Sequence, residues 1–333
     1  MTCPAFPPAA RRQGGAALLT AMLTVALVTT LAAAALWQQW RGVEVEAAER
    51  ARVQSAWLLG GALDWGRLIL RVDSDRQADH LGEPWAVPLA EARISTFLNA
   101  GADTSDLGRD AFLSGSIADM QARLNLLNLL PAAGQTPQMQ QQNRARFQRL
   151  FALLKLPEHE LDALIAQLTQ ALQALAAPPE QGAAALAAPM PLRVGQLGWL
   201  GVAPATLAAL EPHITLLPQP TAINLNTASA EVIHAATGMD LASAQRLVSA
   251  RAMRPFQSVT DAAEAAGHAG ERIKKCPAQW CDVLSHYFEV RGRLRLDDVA
   301  LEEIALVHRP SGRQPPVAVL WRQRVPISGL REE

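Results

Sequence analysis

The feature that most constrains this chain is an uncharged run from Gln13 to Trp40, bracketed by Arg11-Arg12 before it and Arg41 after it. About 20 apolar residues are enough to cross the hydrocarbon core of a bilayer as a helix, and residues 16–37 supply them. The two cations ahead of the run put the N-terminus in the cytoplasm and the rest of the chain on the far side. Trp37 and Trp40 stand where interfacial aromatics are found. A secretory signal shares the basic and apolar regions, with Ala32-Ala33-Ala34-Ala35 as its small-residue cut. Its apolar region spans only about 7–15 residues, however, and this one is longer. A plain single-span anchor needs the same helix and remains open.

The order of residues ahead of the helix adds a second constraint. Arg11-Arg12-Gln13-Gly14-Gly15 leads straight into Ala16-Ala17-Leu18-Leu19-Thr20, so the glycines precede the apolar run. This resembles a type IV prepilin leader. The resemblance implies cleavage by a prepilin peptidase after Gly15 and methylation of Ala16. Counting from Ala16, Thr20 is the fifth residue, where pilin-like families usually carry a glutamate that meets a neighbouring subunit's amino terminus. A carboxylate without a partner is costly in a membrane, so a subunit with nothing above it is better served by a neutral side chain. In this respect the chain resembles the minor pseudopilin K family of type II secretion.

With 333 residues, 50% hydrophobic and 18% charged, the chain can bury a substantial core in more than one lobe. Its formal net charge of −1 gives no bulk attraction to nucleic acid or an anionic surface. Cys3 precedes the apolar run, whereas Cys276 and Cys281 fall on the exported side, where disulfides persist. A bridge between these two would close a small loop and contribute modestly to stability. Two unpaired thiols are the alternative. The C-x4-C spacing, with only His268 and His286 nearby, does not suit zinc.

Beyond the membrane, residues 43–71 continue the helical spacing through Val53, Trp57, Leu58, Leu63, Leu68 and Leu70, a face expected to pack on a globular lobe. Asp79-His80-Leu81-Gly82-Glu83-Pro84-Trp85 reads as a fixed loop anchored by Trp85. Its acids and histidine could also group as a metal or catalytic cluster, but turns collect such residues anyway. Residues 113–126 read as a strand entering a loop. Their Asp119-Met120-Gln121-Ala122-Arg123-Leu124-Asn125-Leu126 resembles a signature of the K family, with Ala122 and Leu124 departing from its glycine and aromatic residue. Residues 138–177 form two helices divided at Pro157. An Ala/Pro-rich linker over 176–191 and short helices at 194–200 and 204–210 follow.

Ile223-Asn224-Leu225-Asn226-Thr227, then helix, Gly238-Met239-Asp240, helix and Arg254-Pro255-Phe256, resembles a helix-hairpin-helix module. Such hairpins bind phosphate through backbone N–H groups that glycines leave accessible. Asp240 replaces the second glycine, repels phosphate and reads as the N-cap of the next helix. Arg246, Arg251 and Arg254 are the main cations, and a lysine-rich stripe is missing. A packing module is therefore expected, with no nucleic-acid partner. The competing reading is a membrane-anchored DNA-binding protein of the competence-receptor type. Near the C-terminus, Phe288, Val290, Leu294 and Leu296 alternate with Glu289, Arg291, Arg293 and Arg295, the start of an antiparallel meander completed by 300–308 and 317–325.

The expected fold is α+β: a pilin-like long N-terminal transmembrane helix packed on an antiparallel sheet, with a large all-α insertion of helix-hairpin-helix or SAM-like type. The expected divisions are a prepilin leader at 1–15, a transmembrane helix at 16–37, the first part of the pilin-like domain at 38–130, an inserted helical domain at 131–275 and the C-terminal strands at 276–333. No catalytic triad, phosphate-cradling loop or zinc motif stands out, so an enzyme is not expected. The resemblance implies a minor pseudopilin at the tip of the type II secretion pseudopilus that starts its assembly for export of folded proteins across the outer membrane. It also implies the I, J and H subunits, the prepilin peptidase, other secretion components and the inner membrane as partners. Calcium is the cofactor it brings with it. Asp103, Asp106, Asp110 and Asp282 are candidate oxygen ligands, though their spacing does not make an EF-hand loop.

Overall fold

The structure, a computed structural model, describes residues 14–73, 77–93, 111–131, 134–176, 188–296, 299–311 and 316–327. It divides into two units, residues 1–58 and 59–333. Helix α1, Gly14–Val72, supplies all the described residues of the first unit and the first element of the second.

In the first unit the apolar side chains of α1, Leu18 to Trp40, are exposed. Thr20 donates to Ala16 O at 3.1 Å and Ala17 O at 3.0 Å. Thr24, Thr29 and Thr30 likewise donate to carbonyls of the preceding turn. Each hydroxyl proton is thus satisfied within the helix, as an apolar solvent requires. The charged stretch that follows is laced by exposed pairs within one turn, Glu46 with Arg50 and Glu49 with Arg52.

In the second unit the strands are, in chain order, β1 (Leu89–Arg93), β2 (Ala111–Asp119), β3 (Leu124–Asn125), β4 (Ile214–Thr215), β5 (Ile223–Asn224), β6 (Cys281–Asp282), β7 (Tyr287–Leu296), β8 (Val299–His308) and β9 (Ala318–Ile327). Five of them make an antiparallel sheet ordered β1-β2-β7-β8-β9, while β3–β4 and β5–β6 are short parallel pairs. The period of two in β7 sets the faces. Phe288 and Val290 point to a core shared with Leu63 and Leu70 of α1, Trp85, Ala305, Val307 and Val317. Trp85 meets Phe288 edge to face at 5.2 Å, which adds to the area term. A Cβ at Gly66 would lie 2.8 Å from Val290 Cγ1, so the glycine lets α1 lie directly on β7. Arg67 fastens the contact through two N–H groups on Val317 O, at 3.0 and 2.8 Å.

The expected packed face is corrected at three positions: Val53 and Trp57, in the first unit, are exposed, and so is Leu68 in the second. Leu68 is turned away by that close approach. It stands roughly 200° around the helix from Gly66 at about 100° per residue, and with Trp65 and Val72 it is exposed.

The helical block comprises α2 (Pro137–Leu153), α3 (Glu158–Ala176), a 3-10 segment Val194–Leu200, α4 (Pro204–Leu210), α5 (Ala230–Thr237), α6 (Leu241–Met253), α7 (Val259–Ala265) and α8 (Gly270–Lys274). Thr136, Ser229, Asp240 and Ser258 cap α2, α5, α6 and α7 through their side-chain oxygens. Pro157 precedes α3, and Lys155 at φ 56 turns the chain between the two helices. The shared core runs through Phe147, Leu150, Leu164, Val232, Leu247 and Ile273, and it also takes in Leu124, Leu126, Trp280 and Val283. Cys276 and Cys281 are joined in a disulfide. Between them Trp280 is buried, its Nε1 donating to Asn143 Oδ1 at 2.9 Å and its face covered by the Arg146 guanidinium at 4.5 Å.

Candidate functional site

Among the described residues, one helix is long and apolar enough to cross a membrane, and none of its most apolar window is buried. From Ala16 to Trp40 it carries no charge, and Thr20 makes its hydrogen bonds to its own helix. α1 begins at Gly14, and residues 1–13, most of the expected leader, lie outside the described residues.

The acidic candidates separate. Asp103, Asp106 and Asp110 lie outside the described residues. Asp282 sits on β6 with its Oδ1 accepting from Val283 N at 2.7 Å. The carboxylates that do converge are Asp73, Asp79 and Glu83, all buried, with oxygens within 4.8 Å of one another. An oxygen-only set of this kind suits a hard divalent cation. One positive charge is already present: Arg309 contacts Asp73 at 3.3 Å and pairs with Asp79, and it donates to Ser285 O at 2.8 Å. Its guanidinium also lies 4.7 Å over the Phe288 ring. Glu83 Oε2 accepts from Trp85 Nε1 at 2.6 Å and His80 N at 3.1 Å. Burial nevertheless pushes the Glu83 carboxyl above its ordinary value, with Asp73 and Asp79 adding to the rise. His80 Nδ1 accepts from Gly82 N at 3.1 Å, so a neutral ring carries its proton on Nε2, 3.8 Å from Glu83 Oε1.

The Asp119–Asn128 stretch works as a seam. Gln121 reaches Ala222 O and accepts from His286 N at 2.6 Å. Asn125 Nδ2 donates to Gln219 O at 2.7 Å and Asn128 Nδ2 to Thr221 O at 2.8 Å. Asn224 joins the same seam from the other side, donating to Asp79 O, Asp119 Oδ2 and Ser285 Oγ. These residues tie the end of the sheet to the helical block.

The hairpin between α5 and α6 is closed to phosphate. Gly238 has φ +73, and Arg149 covers the side where a Cβ would stand, 3.5 Å from its Cζ. Arg149 donates twice to Ala235 O and Arg146 to Ala236 O, so two cations from α2 cap the carbonyl end of α5. Asp240 caps α6 through Ser243 N at 2.8 Å, and the Ser243 hydroxyl and amide hold its carboxyl below the usual range. Arg251 is buried on Leu225 O and Ala228 O. The turn thus presents a carboxylate where a phosphate would sit, Arg251 is turned inward while Arg246 and Arg254 stay exposed, and the contacts of the hairpin are packing contacts within the helical block.

Two family models described as type II secretion system protein K match residues 122–219 and 223–279. The type II secretion system protein K of Pseudomonas aeruginosa strain PAO1 is 29% identical over 297 residues, covering 83% of this chain and 82% of that protein. The chain matches the type II secretion system protein K family. A solved chain from the GspK-GspI-GspJ complex of enterotoxigenic Escherichia coli has the same fold, with a TM-score of 0.60 at 18% identity. The likeness covers 84% of this chain and 98% of that one. Protein K members are structural pseudopilin subunits, and the polar seam and capped hairpin are accordingly packing devices and not catalytic ones.

Proposed function

We propose that this chain is the minor pseudopilin at the tip of the type II secretion pseudopilus, where it initiates assembly for export of folded proteins across the outer membrane. The observation that carries this reading is the state of α1: unburied and uncharged from Ala16 to Trp40, with a self-satisfied Thr20 at the fifth position after Gly15. A prepilin peptidase would cut after Gly15 and methylate Ala16. The N-terminus would face the cytoplasm and the bulk of the chain the periplasm. Thr20 asks nothing of a neighbour above, as suits the top of a helical stack. In the second unit Trp65, Leu68 and Val72 form an exposed apolar stripe at helical spacing. That stripe is suited to packing on another subunit; the relative's complex with GspI and GspJ supports the I and J subunits as partners, and we propose the H subunit as a further one. The pilin-like lobe, residues 38–130 and 276–333, would be interrupted by the helical insertion at 131–275. Asp73, Asp79 and Glu83 are the residues that would hold calcium, were it taken up.

Intact mass and N-terminal sequencing of protein purified from membranes test the reading. A start at methylated Ala16, lost in Gly15→Val, is the expected result. A soluble product starting near Leu36 would remove the membrane helix and overturn it.

A further inference from the structure

On the sheet face turned away from α1, the helical block stands off the strands and leaves a cavity of about 750 Å³. Leu306 of β8 and Trp321 of β9 are register partners on its floor. The exposed Leu192 and Trp199 (58% accessible) stand on its opposite side. Among the described residues β9 is the edge strand of the sheet, with no strand paired to its outer side.

Its unmet groups share one chemistry. Thr215 is fully buried, and its hydroxyl has no hydrogen-bond partner among the described residues. The buried Nε1 of Trp321 also has none, and an indole N–H can only donate. Arg123 and Arg193 line the same space without a carboxylate partner among the described residues. Arg193 lies 5.5 Å over the Trp321 ring, which holds the guanidinium in place and leaves its N–H edge to bind. Arg291 is already answered by Glu289 at 2.9 Å and Glu302 at 3.6 Å. The lining carries three arginines against two glutamates, Glu211 and Glu289. A ligand that satisfies this site must bring acceptors and negative charge, together with an apolar side chain for the floor.

We propose that this groove docks an extended acidic segment of a partner polypeptide. Its carboxylates meet Arg123 and Arg193, and its acceptors take the Trp321 and Thr215 protons. An aliphatic side chain lies on Leu306. Extended backbone suits the edge of β9, where alternate side chains point into and out of the groove. This inference stands apart from the tip assignment and can fail without it.

The test is fluorescence anisotropy with the full chain in detergent micelles and labelled peptides: alternating glutamate and leucine, alternating lysine and leucine, and alternating glutamate and serine. The glutamate–leucine peptide is expected to bind at least tenfold more tightly than either control. Arg193→Glu should weaken it about tenfold, and Trp321→Phe, which keeps the ring and removes the N–H, several-fold. Equal binding of the lysine–leucine peptide would show mere apolar adhesion and overturn the proposal. Absence of saturable binding, or binding unchanged in Arg193→Glu, would also overturn it. Self-association that Arg193→Glu abolishes, without peptide binding, would give the groove to a second copy instead.

Discussion

The Thr227 hydroxyl donates to Asp119 Oδ2 at 2.5 Å, tying the helical block to the last residue of strand β2. The same oxygen accepts from Ser285 Oγ at 2.6 Å and Asn224 Nδ2 at 3.2 Å, while Oδ1 accepts from Gln121 N at 2.7 Å. One carboxylate therefore gathers donors from the 3-10 turn after β2, from the start of the hairpin module and from the approach to β7. Removing it leaves several buried donors without an acceptor, each costing about 1–3 kcal/mol. Asp119→Ala is expected to destabilise the second unit by about 3–5 kcal/mol, read by urea denaturation of the detergent-solubilised chain. A loss below about 1 kcal/mol would mean the donors find other acceptors.

Asp119 should also leave a mark on the pH dependence of stability. Burial raises its carboxyl to about 6, against the hydrogen bonds from Ser285, Thr227 and Gln121, which lower it. Because its folded value lies above the ordinary 3.8, the folded state holds the proton more tightly than the unfolded chain. Above pH 6 the group is ionised in both states and folding bears the full cost. As pH falls from about 7 through 6 toward 4, the cost is relieved and stability rises, by roughly 3 kcal/mol at most. Glu83, raised mainly by burial, acts in the same direction. Asp119→Asn should flatten most of this slope in denaturation series at pH 7.5, 6 and 5. A slope unchanged by the substitution would assign the effect elsewhere.

How much of this was legible beforehand follows the range of each interaction. The membrane helix, the alternation in β7, the Asp240 cap, the anchored Trp85 and the division at Pro157 are all written within a few consecutive residues. Period, capping chemistry and proline geometry act at that range. The polar seam is different. Arg309 meets Asp73 across 236 positions and Asn224 meets Asp119 across 105, so no local spacing exposes either pairing. Local reasoning could place Asp79, His80 and Glu83 in one loop, but it had no means of adding Asp73 or the arginine that neutralises them. Apolar spacing alone put Val53, Trp57 and Leu68 on a packed face that the structure leaves exposed, and for Leu68 the reason is Gly66, whose missing side chain decides which face of α1 meets the sheet.

Arg309 is almost fully buried between Asp73 and Asp79. Taking away one side of a buried pair strands the other, at about 3–5 kcal/mol. Arg309→Ala is expected to lose that much in thermal or chemical unfolding. Adding Asp79→Asn should restore part of it, because one stranded charge disappears. If the double variant is less stable than the single one, the aspartate is held by its bond from Ser285 N and not by the arginine.

The Cys276–Cys281 bridge spans the turn that carries Trp280. A loop this short restricts the unfolded chain by about 2 kcal/mol in the chain-entropy account. Cys276→Ser with Cys281→Ser is expected to lose about that amount and still fold, since the Trp280–Asn143 bond and the Phe147 contact remain. Reductant should lower the unfolding midpoint of the parent chain and leave the double variant unchanged. Trp280→Ala, which empties the core at that point, should cost more, about 3–5 kcal/mol.

Thr20 separates a requirement for neutrality from a requirement for threonine. Among the described residues its hydroxyl bonds to Ala16 O and Ala17 O of its own helix, so Thr20→Ala is expected to remove nothing that another molecule uses. Thr20→Glu instead places a carboxylate in the membrane, at about 2.5–3.5 kcal/mol for a charge near the centre of the span. The site lies nearer one end, which lowers that cost, and a neighbouring amine would lower it further. In a host depleted of its own protein K, secretion of a reporter exoprotein is expected to be unchanged by Thr20→Ala and reduced several-fold by Thr20→Glu. The membrane fraction should show the glutamate variant still processed, so that the defect lies in assembly and not in cleavage. Full secretion by Thr20→Glu would mean that a partner's amine reaches this position, and the chain would then belong inside the filament and not at its tip.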